Sequence, residues 1–327
     1  MSDRFDITIV ISSYNRDDKI IQTLQSLYKS DLSCFTAVEL LIIDDGSPRH
    51  VEELLPLAGV KPSSITLRLL KQTNKGIGAT RNRGFNVAQS SLVLFLDDDI
   101  ILYPDTVQKF FQAWRQHQGA LIFGSYPFNS YSSPAMEKFA NRFFGYNEIS
   151  KEEKIDQVNG ITSGLLFADK SKLQEMKHLY NDNLTVPAAE EHELMFRFFK
   201  SGIPIYHARH IYALHNHHLN IKWLSQQQYK YGLATAEAFV KYPEIKGMKK
   251  FAVWVKSFSQ DNAGMLKRVA QKLLTSVAGR KLLMVVAKTI EIISPGGQHH
   301  FAFGLLVSIF FKAGYNKGLR KFRNSLS

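Results

Sequence analysis

Short runs of apolar, mostly β-branched residues alternate with amphipathic stretches along the first part of the chain. The apolar runs cover residues 7–12, 38–44, 65–70, 92–96 and 121–126. Between the first two runs, residues 16–28 place Ile20, Leu24 and Leu27 at helical spacing. Runs that are apolar on both faces and are separated by helices are typical of a mostly parallel sheet covered on both sides. We therefore predict an α/β fold with a Rossmann-like, mostly parallel sheet flanked by helices.

The same pattern predicts further helices between and after these strands. They cover residues 51–57, 78–88, a stretch starting near Pro104, and residues 188–202. In the last of these, the spacing predicts that the large apolar side chains face inward. These side chains are Leu194, Phe196, Phe198 and Phe199.

The last quarter of the chain differs from the rest in charge. The net charge is +12 over 327 residues. Residues 246–327 carry 15 Lys and Arg against two acids, Asp261 and Glu291, so residues 1–245 are close to neutral. Such a shift in composition marks a domain boundary. We predict a catalytic domain over residues 1–245 and a basic, helical C-terminal region over residues 246–327.

This C-terminal region is predicted to form amphipathic helices over residues 265–278 and 280–293. The most apolar run, residues 301–311, is shorter than the ~20 residues that span a membrane. Basic amphipathic helices lie on anionic membranes, and this is the interpretation we favour. Packing on the catalytic domain, or on a second copy in a homo-oligomer, is the alternative, since helical apolar stripes are usually core. Nucleic acid is not expected as a partner, because the region has no recognisable binding module.

Composition indicates the class of protein and the cellular compartment to expect. Hydrophobic residues make up 45% of the chain and charged residues 21%, which is typical of a globular protein. Cys34 is the single cysteine, so the chain cannot form an internal disulfide and fits a reducing compartment. The apolar run at the N-terminus is a strand rather than a signal peptide. A cytoplasmic protein, peripheral on the inner face of the membrane, is expected.

Polar residues follow three of the predicted strands, where ligands of open α/β sheets bind. They include Ser13 and Asn15 after the first strand, Asp44 and Asp45 after the second, and Asp97, Asp98 and Asp99 after the fourth. Three adjacent carboxylates repel one another and suit a divalent cation that bridges a diphosphate. The alternative is a solvated turn that caps the next helix. Asp44 and Asp45 suit a base or ribose, although Asp-Gly is also a common turn dipeptide.

Three other segments carry candidate chemistry. The loop at 74–84 places Gly76 and Arg81 at the mouth of a helix, a place for phosphate, although it matches neither a dinucleotide fingerprint nor a P-loop. Glu190 and Glu191 at the start of a helix either match its dipole or act as a general base. Five histidines lie within residues 207–218, and His215 and His217 are metal candidates, although most surface histidines bind nothing.

Together these segments resemble the family 2 inverting glycosyltransferases, which have the GT-A fold. The resemblance runs in order over about residues 5–235 through VISSYNR, IIDDGS, NKGIGATRNRGFNVA, LVLFLDDDIILYP and EEHELMFRFFKSG. It implies that Asp45, with Asp44, contacts the base and that Arg81 contacts the phosphate or ribose side. Asp97 and Asp99 would be the ends of the metal-binding Asp-x-Asp, with His215 or His217 assisting Mn²⁺ or Mg²⁺. Glu191 stands where the family usually has an aspartate base, which leaves the base between Glu190 and Glu191.

The resemblance implies an enzyme that transfers a sugar, with inversion, from a nucleotide-diphosphate sugar to a hydroxyl of a glycan or lipid-linked acceptor. A UDP-sugar donor and a role in cell-surface polysaccharide or glycolipid synthesis are expected. The donor site is expected to comprise Ser13, Asn15, Asp44, Asp45, Asn74, Gly76, Arg81, Asp97 and Asp98. The processive synthases' Gln-x-x-Arg-Trp is degenerate here, at Gln227–Tyr231, which favours single additions. The alternatives are a sugar nucleotidyltransferase and a catalytically inactive transferase fold that binds its ligand.

Overall fold

A mixed sheet forms the centre of the structure, a computed structural model that describes residues 5–144, 149–158, 161–173, 179–247, 272–297 and 299–323. Its strands are β1 (Phe5–Ser13), β2 (Phe35–Asp44), β3 (Ile65–Lys71), β4 (Leu92–Asp97), β5 (Ile100–Leu102), β6 (Leu121–Ser125), β7 (Phe128–Tyr131), β8 (Ile155–Gln157), β9 (Leu165–Asp169) and β10 (Ile205–Leu219). The strand order is β3-β2-β1-β4-β9-β6-β10-β5, and β7 and β8 each pair with β10. The neighbours β3, β2, β1 and β4 are parallel, whereas β9 is antiparallel to both β4 and β6.

Helices connect and extend these strands. They are α1 (Asp17–Tyr28), α2 (Val51–Leu54), α3 (Ile77–Val87), α4 (Thr106–Gln116), α5 (Pro134–Phe143), α6 (Ala189–Ser201), α7 (Ile221–Lys241), α8 (Val277–Ile293) and α9 (His300–Arg323). Short 3₁₀ turns lie at Leu55–Ala58, Lys170–Lys172 and Pro243–Gly247. Among the described residues, no helix is both long and apolar enough to cross a bilayer.

The chain divides into two compact units. The first comprises Met1–Asn129, Gly145–Asp182 and Arg197–His217, and the second comprises Ser130–Phe144, Asn183–Phe196 and His218–Ser327. These units do not follow the predicted boundary at residue 245, because the second unit joins earlier segments, including α5 and α7, to α8 and α9.

In the first unit, the parallel strands β1, β2 and β4 are largely buried on both faces. Ile9 and Ile11 of β1 pack with Ile20 and Leu24 of α1 in the main apolar core. Val10 points to the opposite face, where a Cβ on Gly84 of α3 would meet its side chain. Strands covered on both faces read as continuous apolar runs, which explains why the sequence pattern located β1, β2 and β4.

In the second unit, α9 lies along α7 with very little space between the two backbones. A Cβ on Gly232 of α7 would overlap the backbone oxygen of Phe311, and a Cβ on Gly314 of α9 would overlap that of Tyr229. Phe239 of α7, Phe196 and Ile245 are buried in one apolar cluster in this unit. Glycine at the crossing therefore allows a closer approach than any other residue would.

The predicted fold class is confirmed, and the structure refines its elements. The predicted strands correspond to β1, β2, β3, β4 and β6, and the predicted helix over residues 280–293 begins slightly earlier, at Val277. Half of the helix predicted over residues 265–278, residues 265–271, lies outside the described residues; residues 272–275 are helical, and Ser276 interrupts the helix before α8. Phe199 was predicted to face inward and is 57% exposed, unlike Leu194 and Phe198. That prediction was wrong because α6 buries a narrower stripe than its aromatic content suggests.

Candidate functional site

Three neighbouring strands of the first unit end at the same edge of the sheet. In the parallel registers, Ser13 of β1 pairs with Asp44 of β2, and Ser12 pairs with Asp97 of β4. The Asp45 amide donates to the Ser13 carbonyl (2.8 Å), and the Ser13 hydroxyl donates to Asp98 Oδ2 (2.7 Å). The fold thus brings together polar groups from three separate parts of the chain.

The two aspartates after β2 have different surroundings. Asp44 is fully buried and accepts hydrogen bonds from the Ser47 amide (2.9 Å) and the Val51 amide (3.3 Å) and contacts His50 Nδ1 (3.0 Å). Burial alone would raise the pKa of Asp44, but these hydrogen bonds outweigh it and lower the pKa below its usual value. The Asp44 side chain therefore stabilises the turn into α2.

Asp45 instead anchors the glycine-containing loop before α3. Its Oδ1 accepts from Gln72 Nε2 (2.7 Å) and from the Lys75 amide (2.9 Å), and its Oδ2 accepts from the Gly76 amide (2.9 Å). Gly76 has φ +88°, a left-handed conformation that favours glycine. The Gly76 amide is therefore occupied by Asp45, whereas Asn74 in the same loop is exposed.

Arg81 of α3 contacts the first carboxylate after the fourth strand. Its guanidinium lies 2.6 Å from Asp97 Oδ1 and 5.5 Å from the centre of the Tyr180 ring. The Asp97 amide donates to the Gly164 carbonyl (2.9 Å), and a Cβ on Gly164 would come within 2.9 Å of Asp97 Oδ2. Arg81 and Asp97 therefore form a largely buried ion pair with each other.

Asp98 and Asp99 are both buried, but they differ in charge. Burial, followed by the charge of Asp99, raises the pKa of Asp98 to about 8. Burial acts in the same direction on Asp99, but the hydrogen bond and charge of His215, with Arg16 and Lys19, hold its pKa below the usual value. Asp99 Oδ2 lies 3.4 Å from His215 Nε2, 3.7 Å from Lys19 Nζ and 3.8 Å from an Arg16 guanidinium nitrogen. Asp99 is therefore the ionised member of the pair.

Two histidines of β10 lie next to this carboxylate. The Asn216 amide donates to the Asp99 carbonyl (2.7 Å), which fixes β10 beside the acidic turn. The His215 ring lies against Phe128, with ring centres 4.8 Å apart, and its buried Nδ1 has no hydrogen-bond partner among the described residues. His217 Nδ1 lies 3.0 Å from Lys19 Nζ. An ammonium only donates, so His217 Nδ1 accepts, and burial with the charge of Lys19 lowers the pKa of His217 to about 4.

These contacts decide which residues fit a divalent cation. In the part of the chain that the structure describes, no three His, Cys, Asp or Glu side chains are grouped closely enough to hold a metal ion. Mg²⁺ and Mn²⁺ need one or two protein ligands when phosphate oxygens and water supply the others. Asp99 and His215 fit that requirement as a pair. Asp97 is engaged by Arg81, and His217 accepts from Lys19.

The candidate bases lie in the second unit, in the first turn of α6. Glu190 is buried and Glu191 is half-buried. Helix α7 holds the segment that leads to them: Glu237 accepts from the Thr185 and Val186 amides (2.7–3.0 Å). His192 Nε2 contacts Thr235 Oγ1 (3.1 Å). Glu190 and Glu191 thus belong to the second unit.

Four residues that hold the candidate groups in place, three in the first unit and one in the second, were not predicted from the sequence. Arg16 and Lys19 reach Asp99 from the start of α1, Gln72 holds Asp45, and Glu237 holds the turn before α6. Basic residues directly after a strand end were a signal for the first two. Asn15, the predicted donor residue beside them, is exposed, has φ +54°, and donates its amide to Ser47 Oγ (3.0 Å).

Comparisons with known proteins bear on this arrangement. The family model for glycosyl transferase family 2 matches residues 8–175, slightly more than half of the chain. The chain is 34% identical over 98 residues to an uncharacterized glycosyltransferase, YibD, of Escherichia coli K12, a match that covers 30% of this chain and 27% of YibD. It is 28% identical over 107 residues to the undecaprenyl-phosphate 4-deoxy-4-formamido-L-arabinose transferase of Edwardsiella ictaluri, covering 33% of each chain. The matches thus span about a third or less of these relatives.

Solved structures resemble the whole fold at low identity. A Pyrobaculum calidifontis mannosyltransferase, PcManGT, in complex with GDP-Man and Mn²⁺ gives a TM-score of 0.63 at 13% identity, covering 97% of this chain and 89% of that one. Residues 1–349 of S. aureus TarS in complex with UDP give 0.52 at 13% identity, covering 98% and 92%. At such identities the likeness shows the fold.

Proposed function

Because the chain belongs to glycosyl transferase family 2, we propose that it transfers a sugar from a nucleotide-diphosphate sugar to a hydroxyl of a glycan or lipid-linked acceptor. The observation that carries the proposal is the meeting of Asp45, Ser13 and the Asp98–Asp99 pair at one strand edge. Ligands of open α/β sheets bind at such edges. PcManGT, which has this fold, is complexed with GDP-Man, and TarS with UDP.

The donor would lie along this edge, with its base and ribose beside Asp45, Asn15 and Asn74 and its diphosphate beside Asp99. The donor nucleotide is proposed to be a uridine diphosphate. Arg81 would act on the donor through Asp97, whose carboxylate it holds, instead of through the phosphate that the resemblance implied.

A divalent cation, Mn²⁺ or Mg²⁺, fits beside Asp99 and His215, where it would supply positive charge to the leaving diphosphate. Mn²⁺ suits a carboxylate and an imidazole together. Arg16 and Lys19 place two further cationic groups within 4 Å of the same Asp99 oxygen. Of the two histidines, His215 is the proposed ligand, because His217 accepts from Lys19 and so carries its proton on Nε2.

The proposed chemical step is a single inverting displacement. Glu191, or Glu190, takes the proton of the acceptor hydroxyl. The acceptor oxygen forms a bond to the anomeric carbon as the bond from that carbon to the diphosphate oxygen breaks, and the bonding pair leaves with the nucleoside diphosphate. The new glycosidic bond lies on the face opposite the leaving group, so the configuration is inverted.

The test measures metal-dependent turnover of a panel of nucleotide sugars by Asp99→Asn. We expect transfer and donor hydrolysis to fall by about 10²–10³-fold, because a group that stabilises charge developing in the transition state is lost. Asp105→Asn is the matched control, since Asp105 is a half-exposed carboxylate paired with Lys109 at the start of α4. Full turnover by Asp99→Asn, or none by the wild-type chain with any donor, contradicts the proposal.

The base is tested separately with Glu191→Gln and Glu190→Gln. The variant that loses the base should bind donor with unchanged affinity in calorimetry and lose transfer to the acceptor hydroxyl. Equal transfer by both variants and the wild-type chain would rule out both glutamates.

A further inference from the structure

The outer face of α8 carries large, exposed aliphatic side chains. Ala287 is the buried residue of this helix. Six large aliphatic residues of α8 are 45–78% exposed: Val277, Leu282, Val285, Val286, Ile292 and Ile293. We call these six the outer face of α8. A helix that borders water shows the opposite arrangement, and a contiguous exposed apolar patch marks an interaction site.

The charges around this face are positive. Lys281 and Lys288 of α8 are exposed, as is Lys272 before it. The acid of the helix, Glu291, accepts hydrogen bonds from the Ser132 and Ser133 hydroxyls, both at 2.6 Å, and is thereby engaged within the second unit. The outer face of α8 therefore offers aliphatic side chains bordered by lysines.

A basic pocket adjoins the start of the same helix. A cavity of about 360 Å³ is lined by Gln226, Tyr229, Lys230, Leu233, Arg280 and Phe310, none of which is acidic. The Arg280 guanidinium carbon lies 5.2 Å from the centre of the Tyr229 ring and 5.5 Å from that of Phe310, and one of its nitrogens donates to the Thr275 carbonyl (2.8 Å). We call this cavity the Arg280 pocket.

The geometry of this pocket suits a phosphate group. A guanidinium held beside two rings and by a backbone carbonyl presents a planar set of donors in one position, and such donors match phosphate oxygens. Lys230 adds an exposed ammonium at the rim, and Lys317 Nζ lies 6.0 Å from the centre of the Tyr229 ring. The pocket thus combines fixed positive charge with an apolar wall, as a lipid head group requires.

Charge complementarity distinguishes between a second copy of the chain and a membrane as the partner of this surface. In a two-fold dimer the same patch meets itself, so the lysines of both copies would be brought together, which is unfavourable. An anionic bilayer offers negative charge at its surface and an apolar phase beneath it. An amphipathic helix with lysines beside aliphatic residues is complementary to both.

We propose that the outer face of α8 docks the second unit on an anionic phospholipid membrane, and that the Arg280 pocket, at the start of this helix, binds a phospholipid phosphate. The aliphatic side chains enter the boundary of the acyl region, and Arg280 and Lys230 hold a lipid phosphate. This docking is a binding property of the second unit and does not rest on the proposed sugar transfer.

Flotation of the full-length chain with vesicles tests the aliphatic contribution. We expect binding to mixed phosphatidylcholine–phosphatidylglycerol vesicles and weak binding to pure phosphatidylcholine. Leu282→Gln with Val285→Gln should lower the partition coefficient by about tenfold or more, because both side chains lose apolar burial. The matched control is Leu57→Gln with Val60→Gln, two residues of the first unit that are 54% and 94% exposed.

The basic contribution is tested in the same assay. Lys281→Gln with Lys288→Gln should lower binding to the mixed vesicles by about 25-fold, since each lysine near an anionic surface contributes about fivefold. Lys151→Gln with Lys172→Gln removes the same charge from exposed positions of the first unit and should have little effect. An equal loss in both double variants would show that net charge alone acts, and would overturn the site.

The pocket is tested with Lys230→Gln, at an exposed position, beside Arg280→Gln, with circular dichroism as the check on folding. Both should reduce the preference for phosphatidylglycerol, and inorganic phosphate at constant ionic strength should not displace the wild-type chain from vesicles. Displacement by phosphate would assign the pocket to a soluble anion. Absence of flotation, or a dimer in sedimentation that Leu282→Gln with Val285→Gln dissociates, would overturn membrane docking.

Discussion

His192, next to the proposed base Glu191, has its protonation fixed by its surroundings. The Thr235 hydroxyl donates to the Tyr231 carbonyl (2.8 Å), so it accepts from His192 Nε2 (3.1 Å). Burial lowers the pKa of His192 to about 4. The ring is therefore neutral near pH 7, and it ties the start of α6 to α7 as a hydrogen-bond donor.

The lowered pKa of His192 predicts how the free energy of unfolding depends on pH. An unfolded histidine gains a proton near pH 6.5, whereas the folded one does so near pH 4. Stability should therefore fall as the pH decreases from about 6.5 to 4, by as much as about 3 kcal/mol from this group. His192→Gln should make that part of the profile shallower in urea denaturation, leaving the slope contributed by His217, whereas His218→Gln, at an exposed position, should retain the wild-type slope. A profile for His192→Gln as steep as that of the wild-type chain would contradict the assignment.

The residues of the candidate site were predictable to different degrees. Three carboxylates after a buried strand stand out in a sequence, and Asp97–Asp99 do lie at a polar strand edge with Ser13 and Asp45. The contacts of each carboxylate could not be predicted, because the residues that pair with them come from distant positions in the chain. Arg81 engages Asp97, whereas Lys19 and His215 surround Asp99.

At the scale of elements, strands that are buried on both faces were predicted from the sequence, whereas some partly exposed strands were not. β1, β2 and β4 are continuous apolar runs, and the pattern located them. β10 mixes histidines, tyrosines and aliphatic residues, and its many half-buried positions do not give the regular apolar pattern that predicts a strand. β8 is three residues long, too short for any periodicity. α7 is long enough, but many of its buried positions are small or polar residues, such as Ser225, Gly232 and Ala236, which weakens its apolar periodicity.

The contact between α7 and α9 depends on those small residues, and it gives a paired prediction. Gly314→Ala places a methyl group against the Tyr229 backbone, which cannot move without shifting a helix. We expect the free energy of unfolding to fall by about 1–3 kcal/mol. Gly304→Ala, in the same helix, meets nothing within 4 Å and should raise it by about 0.5–1 kcal/mol through helix propensity. Urea denaturation measures both, and equal effects of the two substitutions would contradict the packing.

At the scale of the whole molecule, charge and packing divide the chain differently. The excess of basic residues begins near residue 246, and that composition led to a predicted boundary at residue 245. Packing instead joins α7, which precedes this position, to α9, which follows it, within one compact unit. Composition reports which surfaces meet solvent or a charged partner, whereas the compact units follow buried contacts. A sequence shows its charge distribution directly, whereas it shows buried contacts only through the periodicity of its apolar residues.

The final prediction follows from this difference and concerns a chain that ends at residue 245. In the second unit, α9 buries Phe303, Leu306 and Phe311, and each such side chain stabilises a fold by about 1.5–3 kcal/mol. Their loss approaches the whole stability of a typical domain, about 5–15 kcal/mol, so we expect the shortened chain to lose cooperative unfolding of the second unit in circular dichroism and to aggregate. A chain ending at Arg323 is the control and should unfold as the full chain does. An unchanged melting temperature for the shortened chain would instead establish residues 1–245 as an independent domain, as the charge distribution predicts.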